Sequence, residues 1–368
     1  TKDDSDKSLR ELYLLSILRI GEKEKFLKEI EYFFENGDKN FFDLYLLYFD
    51  IKRIDEKYEE ALKIINLLKE YFPEKKEIIL WKESLLFIEM DDFLNAESRL
   101  KELLNNYQQN RYIYWLGKVN EYQGKDGSTY YNMLRNEEDY YFTKRRRIII
   151  NSEKNFYLNK NIDRVDALIL LNMVDEAKEE LIYHLIKNAY DEINLVDYFK
   201  KLQLYNYLIK VGVRLNDIFL KYPLAYYETI FQFSERFNID PLLALAIMRE
   251  ESHFRKDAVS SAKAYGLMQV ISPTAKKFNK NISEKDLFVE EKNIEVGIKY
   301  LAYLVKKFKN IEEAVSAYNA GENNVEKWLN RRYKDIDEFI ENIPFTETRN
   351  YVKKVMKSYY IYKSLYEK

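Results

Sequence analysis

A three-position pattern recurs in the first half of the chain at an offset of about 35 residues. Ala61, Ile65 and Leu68 return in kind as Ala96, Leu100 and Leu103, and each triplet runs into a break, at Pro73 and at Gln108. A small residue with apolar residues four and seven positions later forms one stripe on a helix. The alanine lets a second helix approach, and the longer side chains fill the groove between the two. Such a stripe repeated at this period specifies stacked helical hairpins, as against an irregular α-bundle. A further unit of the same kind surrounds Ala177, in the segment 174–181. Composition points the same way: 9 Gly and 5 Pro in 368 residues are too few for the many turns of a sandwich or barrel. The expected fold class is all-α.

Period and stripe make the first region similar to tetratricopeptide-type repeats, which wind into a helical superhelix. Its aromatic run, Tyr112-Ile113-Tyr114-Trp115, and the later Tyr140-Tyr141-Phe142 can stack on sugars or bases, but at helical spacing they are expected in the core. Lys144-Arg145-Arg146-Arg147 is the sharpest basic cluster; it reads as a solvated helix face, with polyanion binding as the alternative. Pro223 breaks the helix before it, and the chain changes character there. The expected division is therefore a repeat region over 1–221, with a linker-like stretch at 190–221, and a second region over 222–368.

Several chemistries are excluded early. With no cysteine and only His184 and His253, the chain can form no disulfide, thiol nucleophile or zinc finger. No cofactor or metal is expected. The formal net charge is −2, and a mildly basic last third against a mildly acidic remainder is no nucleic-acid footprint. The longest aliphatic run, Leu242 to Met248, is far shorter than a membrane span. The sequence opens at Thr1 with neither an initiator Met nor an apolar leader, so any export signal lies outside this numbering.

Asp240-Pro241 starts a helix well, since Asp caps free N–H groups and Pro is tolerated at the first helical position. The seven residues that follow are apolar on every face, which marks a buried helix. It ends in Arg249-Glu250-Glu251-Ser252-His253. A carboxylate at that end loses hydration and faces the negative pole of the helix dipole, and both effects favour its neutral form. A neutral carboxylic acid is what protonation of a glycosidic oxygen needs. Helical phase alone does not choose between Glu250 and Glu251, because both border the apolar stripe.

Further blocks follow in order: Ser260-Ser261, Tyr265-Gly266-Leu267-Met268-Gln269, Asn293 with Gly297, Ala317-Tyr318-Asn319-Ala320-Gly321, and Glu347-Thr348-Arg349-Asn350-Tyr351. From Tyr222 to about Tyr360 the sequence resembles the soluble lytic transglycosylases, lysozyme-like enzymes that cleave peptidoglycan. The resemblance implies a goose-lysozyme-like α domain after the repeats. It places the catalytic Glu before a Ser, hence Glu251 followed by Ser252, with Glu250 as a non-catalytic neighbour. It implies substrate contacts from Ser252, Ser260, Gln269, Tyr318, Asn319 and Glu347, and a Tyr318 hydroxyl near the catalytic carboxyl. Ile271 stands where a groove Met is common in the family, which alters the shape of one sugar subsite.

The resemblance also implies a mechanism with one carboxyl group as both acid and base, giving 1,6-anhydromuramoyl ends. The alternatives are a hydrolase like the goose-type lysozymes and a non-catalytic scaffold that only holds glycan. The implied partners are peptidoglycan strands, with cell-wall proteins unspecified, no nucleic acid and no integral membrane segment. The implied location is the periplasm or cell envelope.

Overall fold

The computed structural model describes residues 9–10, 12–14, 16–17, 22–35, 41–136, 138–145, 162–187 and 195–367. Among these the secondary structure is helical apart from a few short 3-10 turns and one two-stranded antiparallel sheet, so the all-α expectation holds. The chain divides into two compact units, Thr1–Asn136 and Glu137–Lys368.

The first unit contains α1 (Lys23–Glu35), α2 (Phe42–Ile54), α3 (Tyr58–Tyr71), α4 (Lys76–Glu89), α5 (Phe93–Tyr107), α6 (Asn110–Tyr122) and the short α7 (Ser128–Tyr131). Consecutive helices pack in pairs. The repeated stripe is the reason: Ala61, Ile65 and Leu68 on α3, and Ala96, Leu100 and Leu103 on α5, are all fully buried. Pro73 opens a 3-10 turn after α3, and Gln108 closes α5 in a left-handed conformation. Tyr112, Tyr114 and Trp115 are buried to within 1%, so the aromatic run is core and offers no stacking platform.

α4 is buried on nearly all faces and carries charges inside. Arg53, on α2, is 2% exposed and bonds Glu89 and Asp50; Lys82 reaches Asp50 at 2.5 Å. Glu83 is held by Lys69 at 2.5 Å and by Arg99 at 2.9 Å. Every one of these interior carboxylates has a cation beside it. Burial alone would raise the Asp50 carboxyl, but Lys82 and Arg53 more than offset it and leave the group below its ordinary range.

The second unit runs through α8 (Tyr140–Arg145), α9 (Asp163–Leu170), α10 (Val174–Ile186), α11 (Val196–Lys201), α12 (Tyr205–Leu215), α13 (Ile218–Lys221), α14 (Tyr227–Phe237) and α15 (Pro241–Ser252). It continues with β1 (Ala264–Tyr265), β2 (Val270–Ile271), α16 (Ser272–Phe278), α17 (Glu290–Lys307), α18 (Ile311–Ala320), α19 (Glu322–Leu329), α20 (Ile336–Glu341) and α21 (Thr346–Tyr366). Residues 195–221 are packed helices, not a linker: Val196, Phe199, Leu208 and Val211 share a core with Val165, Ala177 and Leu181. Apolar residues at helical spacing there have a face to bury.

α8 lies against α21. The hydroxyl of buried Tyr141 donates to Glu341 at 2.7 Å, Lys353 of α21 bonds the same carboxylate at 2.7 Å, and Lys144 pairs with Asp337. Lys144 is therefore committed inside the protein and unavailable to a polyanion; Arg146 and Arg147 of the same basic cluster lie outside the described residues.

α15 is the axis of the site. Asp240 accepts from the Leu242 amide at 2.8 Å, Pro241 occupies the first turn, and Leu242 to Met248 are buried. The helix stops where His253 turns left-handed, at φ 50°. Asn293 is 1% exposed and pins the hairpin that follows: its amide donates to Tyr265 and Leu287 carbonyls and accepts from the Met268 amide, all within 2.9 Å. Gly266 sits at φ 73°, and a Cβ there would meet the Leu287 carbonyl at 2.3 Å. That close approach explains the glycine.

Candidate active site

A cleft of about 600 Å³ opens beside the end of α15. Its lining includes Glu251, Ser260, Gln269, Ile271, Tyr318, Asn319 and Glu347. Residues spread over nearly a hundred positions thus meet around one space, delivered by α15, the hairpin, α18 and α21.

The two neighbouring glutamates have different surroundings. Glu250 pairs with Arg249 and accepts from the Ser358 hydroxyl at 2.6 Å, while Arg249 also bonds the Lys221 carbonyl and lies over the Tyr222 ring. Glu250 does not line the cleft. Glu251 does, and no cation pairs with it among the described residues. Its Oε1 accepts one hydrogen bond, from the Tyr351 hydroxyl at 2.6 Å. Burial pushes its carboxyl up to about 7, with the Glu250 and Glu347 charges adding to the rise and the Tyr351 bond opposing it. A group poised there can donate a proton and later take one back near neutral pH.

Tyr318 is buried at the cleft wall, and its hydroxyl donates to the Met268 carbonyl at 2.9 Å. Tyr318 lines the cleft with Glu251 and feels its charge, while the hydroxyl bonded to Glu251 belongs to Tyr351. Burial and the Glu251 charge hold both phenols well above their ordinary range, so both remain hydrogen-bond donors. Tyr351 stands one helical turn after Glu347 on α21, which puts both on the face turned to the cleft. That i, i+4 spacing was the sequence signal for it.

Ser252 departs from its expected substrate role. It is 2% exposed, absent from the cleft lining, and its hydroxyl donates to the Leu267 carbonyl at 2.7 Å. It ties the end of α15 to the hairpin. Gln269 is left-handed, at φ 47°, and its amide nitrogen donates to the Gly266 and Ala258 carbonyls. Its Oε1 remains as the acceptor it can present to a sugar hydroxyl. Asn319 accepts from Thr348 at 2.7 Å, Ser260 accepts from the Ala264 amide at 3.0 Å, and Ile271 is 39% exposed on the cleft edge. Glu322, at the far rim, is held by Lys307, Tyr303 and Lys277, and those hydrogen bonds bring its carboxyl down to about 2. Among the described residues no group of three or more His, Asp or Glu side chains is arranged to hold a metal ion.

A buried, capped helix thus delivers a glutamate whose carboxyl is raised to about 7 to an open cleft, within a mainly helical unit. Residues 228–340 match the family described as the Transglycosylase SLT domain. The chain is 38% identical over 145 residues to the soluble lytic murein transglycosylase of Salmonella typhimurium, covering 37% of this chain and 22% of that protein. A Haemophilus influenzae relative is 36% identical over 215 residues, 56% of this chain and 33% of the relative. The aligned regions thus span a third or less of these curated relatives. Among solved structures, the lytic transglycosylase Slt from Pseudomonas aeruginosa, an inactive mutant, aligns over 92% of this chain and 60% of its own at a TM-score of 0.70 and 23% identity. The 70 kDa soluble lytic transglycosylase of Escherichia coli aligns over 86% and 62% at a TM-score of 0.61 and 23% identity. Both share the fold.

Proposed function

We propose that the chain is a lytic transglycosylase that cuts the β-1,4 bond between N-acetylmuramic acid and N-acetylglucosamine in peptidoglycan, with Glu251 as its single acid and base. The observation that carries this reading is the Glu251 carboxyl: withdrawn from water, unpaired with any cation among the described residues, open to a cleft, and raised to about 7. Residues 222–368 hold the whole lining and form the catalytic region; the described helices from Tyr140 to Lys221 belong to the same compact unit, and the helical-repeat region ends by Asn136.

Glu251, protonated, gives its proton to the glycosidic oxygen as the C1–O4 bond breaks. The resulting carboxylate takes the proton of the muramic C6 hydroxyl, whose oxygen bonds C1 of the same ring. No water is consumed and the carboxyl returns to its starting state. An attacking group already on the substrate gains the proximity advantage of an intramolecular reaction. Tyr351 holds the carboxyl in place; Ser260, Gln269, Ile271, Tyr318, Asn319 and Glu347 line the sugar path. The murein named for the curated relatives supports a place at the cell envelope.

The second reading is hydrolysis. It rests on Glu347, an exposed acidic side chain lining the same cleft, which would serve as the base that activates water. Mass analysis of products from purified sacculi separates the two, because anhydro ends lack one water relative to reducing ends. Anhydro ends are expected from the wild type. Glu251→Gln is expected to lose activity by about a thousandfold while still binding glycan; near-normal turnover by that variant sinks the assignment.

A further inference from the structure

Glu250 and Glu251 are neighbours on α15, yet each is tied to a different turn of α21, which packs against that helix. Glu251 accepts from the Tyr351 hydroxyl at 2.6 Å, and Glu250 accepts from the Ser358 hydroxyl at 2.6 Å. Tyr351 and Ser358 stand seven positions apart on α21. They therefore share a face and lie about 10 Å apart along the helix axis. A single bond between two crossing helices leaves them free to pivot about it. Two bonds spaced by two turns fix the crossing.

The Glu250 end of this brace is buried. Ser358 is fully enclosed, and the Glu250 side chain is 9% exposed. Arg249 pairs with Glu250 and donates to the Ser358 oxygen at 3.4 Å, so guanidinium, carboxylate and hydroxyl close on one another. The same guanidinium donates to the Lys221 carbonyl at 3.0 Å and lies 4.2 Å from the centre of the Tyr222 ring. Those contacts root the brace at the end of α13. The other titratable groups around Glu250 are His253 at the end of α15, Tyr222, and Tyr351, Lys357 and Tyr362 on α21. Those around Glu251 are Glu250, Glu347, Tyr318 and Tyr351.

We propose that Glu250 is a positioning residue: locked by Arg249 and bound to Ser358, it fixes how α15 crosses α21 and so holds Glu251 against Tyr351. It acts from behind the cleft, whose lining it does not join. The proposal rests on the reading of Glu251 as the acid of the cleft. The two adjacent glutamates then divide the work, one carrying the proton and the other setting where it is carried.

Ser358→Ala tests this by removing the Glu250 anchor while leaving every charge in place. It is expected to lower kcat on purified sacculi about tenfold with KM little changed. The alkaline limb of its pH–rate profile should move upward by about half a unit to one unit, because the Tyr351 bond that lowers the Glu251 carboxyl is loosened. The double variant Ser358→Ala/Tyr351→Phe should match Tyr351→Phe alone, since the anchor works through that bond. Glu250→Gln, which keeps an acceptor for the Ser358 hydroxyl, should retain more of the wild-type kcat than Glu250→Ala, which keeps none. Thermal melts confirm that each variant is folded, and a crystal structure of Ser358→Ala should show the Tyr351 hydroxyl drawn away from Glu251. An unmoved limb in Ser358→Ala, losses that add in the double variant, equal losses in Glu250→Gln and Glu250→Ala, or an unchanged Tyr351–Glu251 bond overturns the proposal. A wild type that leaves sacculi intact defeats the enzymatic reading instead, and the crystal comparison still decides the brace.

Discussion

The two units bury carboxylates to opposite ends. In the first, Asp50, Glu83 and Glu89 lie inside the helical pairs, and each is met by a lysine or arginine. In the second, Glu251 is met among the described residues by a phenol hydroxyl and by no cation. Burial presses Asp50 and Glu251 alike toward the neutral form. Cations reverse that pressure for Asp50; among the described residues nothing cationic does so for Glu251. Burial by itself therefore makes neither a structural anchor nor an acid. The partner decides, and within the second unit the same rule separates Glu250, paired with Arg249, from its neighbour.

The sharpest way to break the comparison is to remove a cation from the first unit. Arg53→Met takes the guanidinium from a Glu89 side chain that is 2% exposed, and is expected to cost about 3–5 kcal/mol in urea unfolding. Adding Glu89→Leu should recover most of that loss, since a buried ion pair is often replaceable by apolar residues of similar volume. No recovery in the double variant would show that the pair is not the unit of stability.

The converse experiment removes the charge from Glu251. Its folded pKa, about 7, lies above its ordinary value of 4.5. The folded state thus holds a proton that the unfolded state has released between those values. Stability from this group is fully present below about pH 4.5 and is lost as pH rises through 7. Glu251→Gln, which cannot ionise, should be more stable than wild type at pH 8 by up to about 3 kcal/mol, with the gain vanishing near pH 4. Thermal melts across that range check it; a pH-independent difference would place Glu251 in water.

The smallest effect sharpens the role of the phenol. The Tyr351 bond lowers the Glu251 carboxyl, so Tyr351→Phe should raise it and move the alkaline limb of the pH–rate profile upward by about half a unit to one unit. A fall in rate with an unmoved limb would make Tyr351 a packing residue only.

Much of this was written in local patterns. The stripe at Ala61, Ile65 and Leu68 and its copy at Ala96, Leu100 and Leu103 name the buried faces of α3 and α5, because helical periodicity is a local property. Asp240-Pro241 and the apolar run after it name a buried helix for the same reason. Other features needed distant partners. Ser252 read as a substrate contact until its hydroxyl was found on the Leu267 carbonyl. The sequence reading set the Tyr318 hydroxyl near Glu251 but did not single out Tyr351, a hundred positions from that glutamate, which makes the bond to it. The stretch 190–221 read as linker-like, yet from 195 onward its short helices share a core, and short helices gain their stability from packing.

The sequence by itself determined that the chain is helical, that its first region repeats, and that a buried helix ends in a pair of glutamates. Those facts follow from spacing along one element. Only the tertiary structure decided which glutamate is paired and which is open. A side chain's charge state depends on the water and ions within a few ångströms, and those neighbours come from helices far apart in the chain.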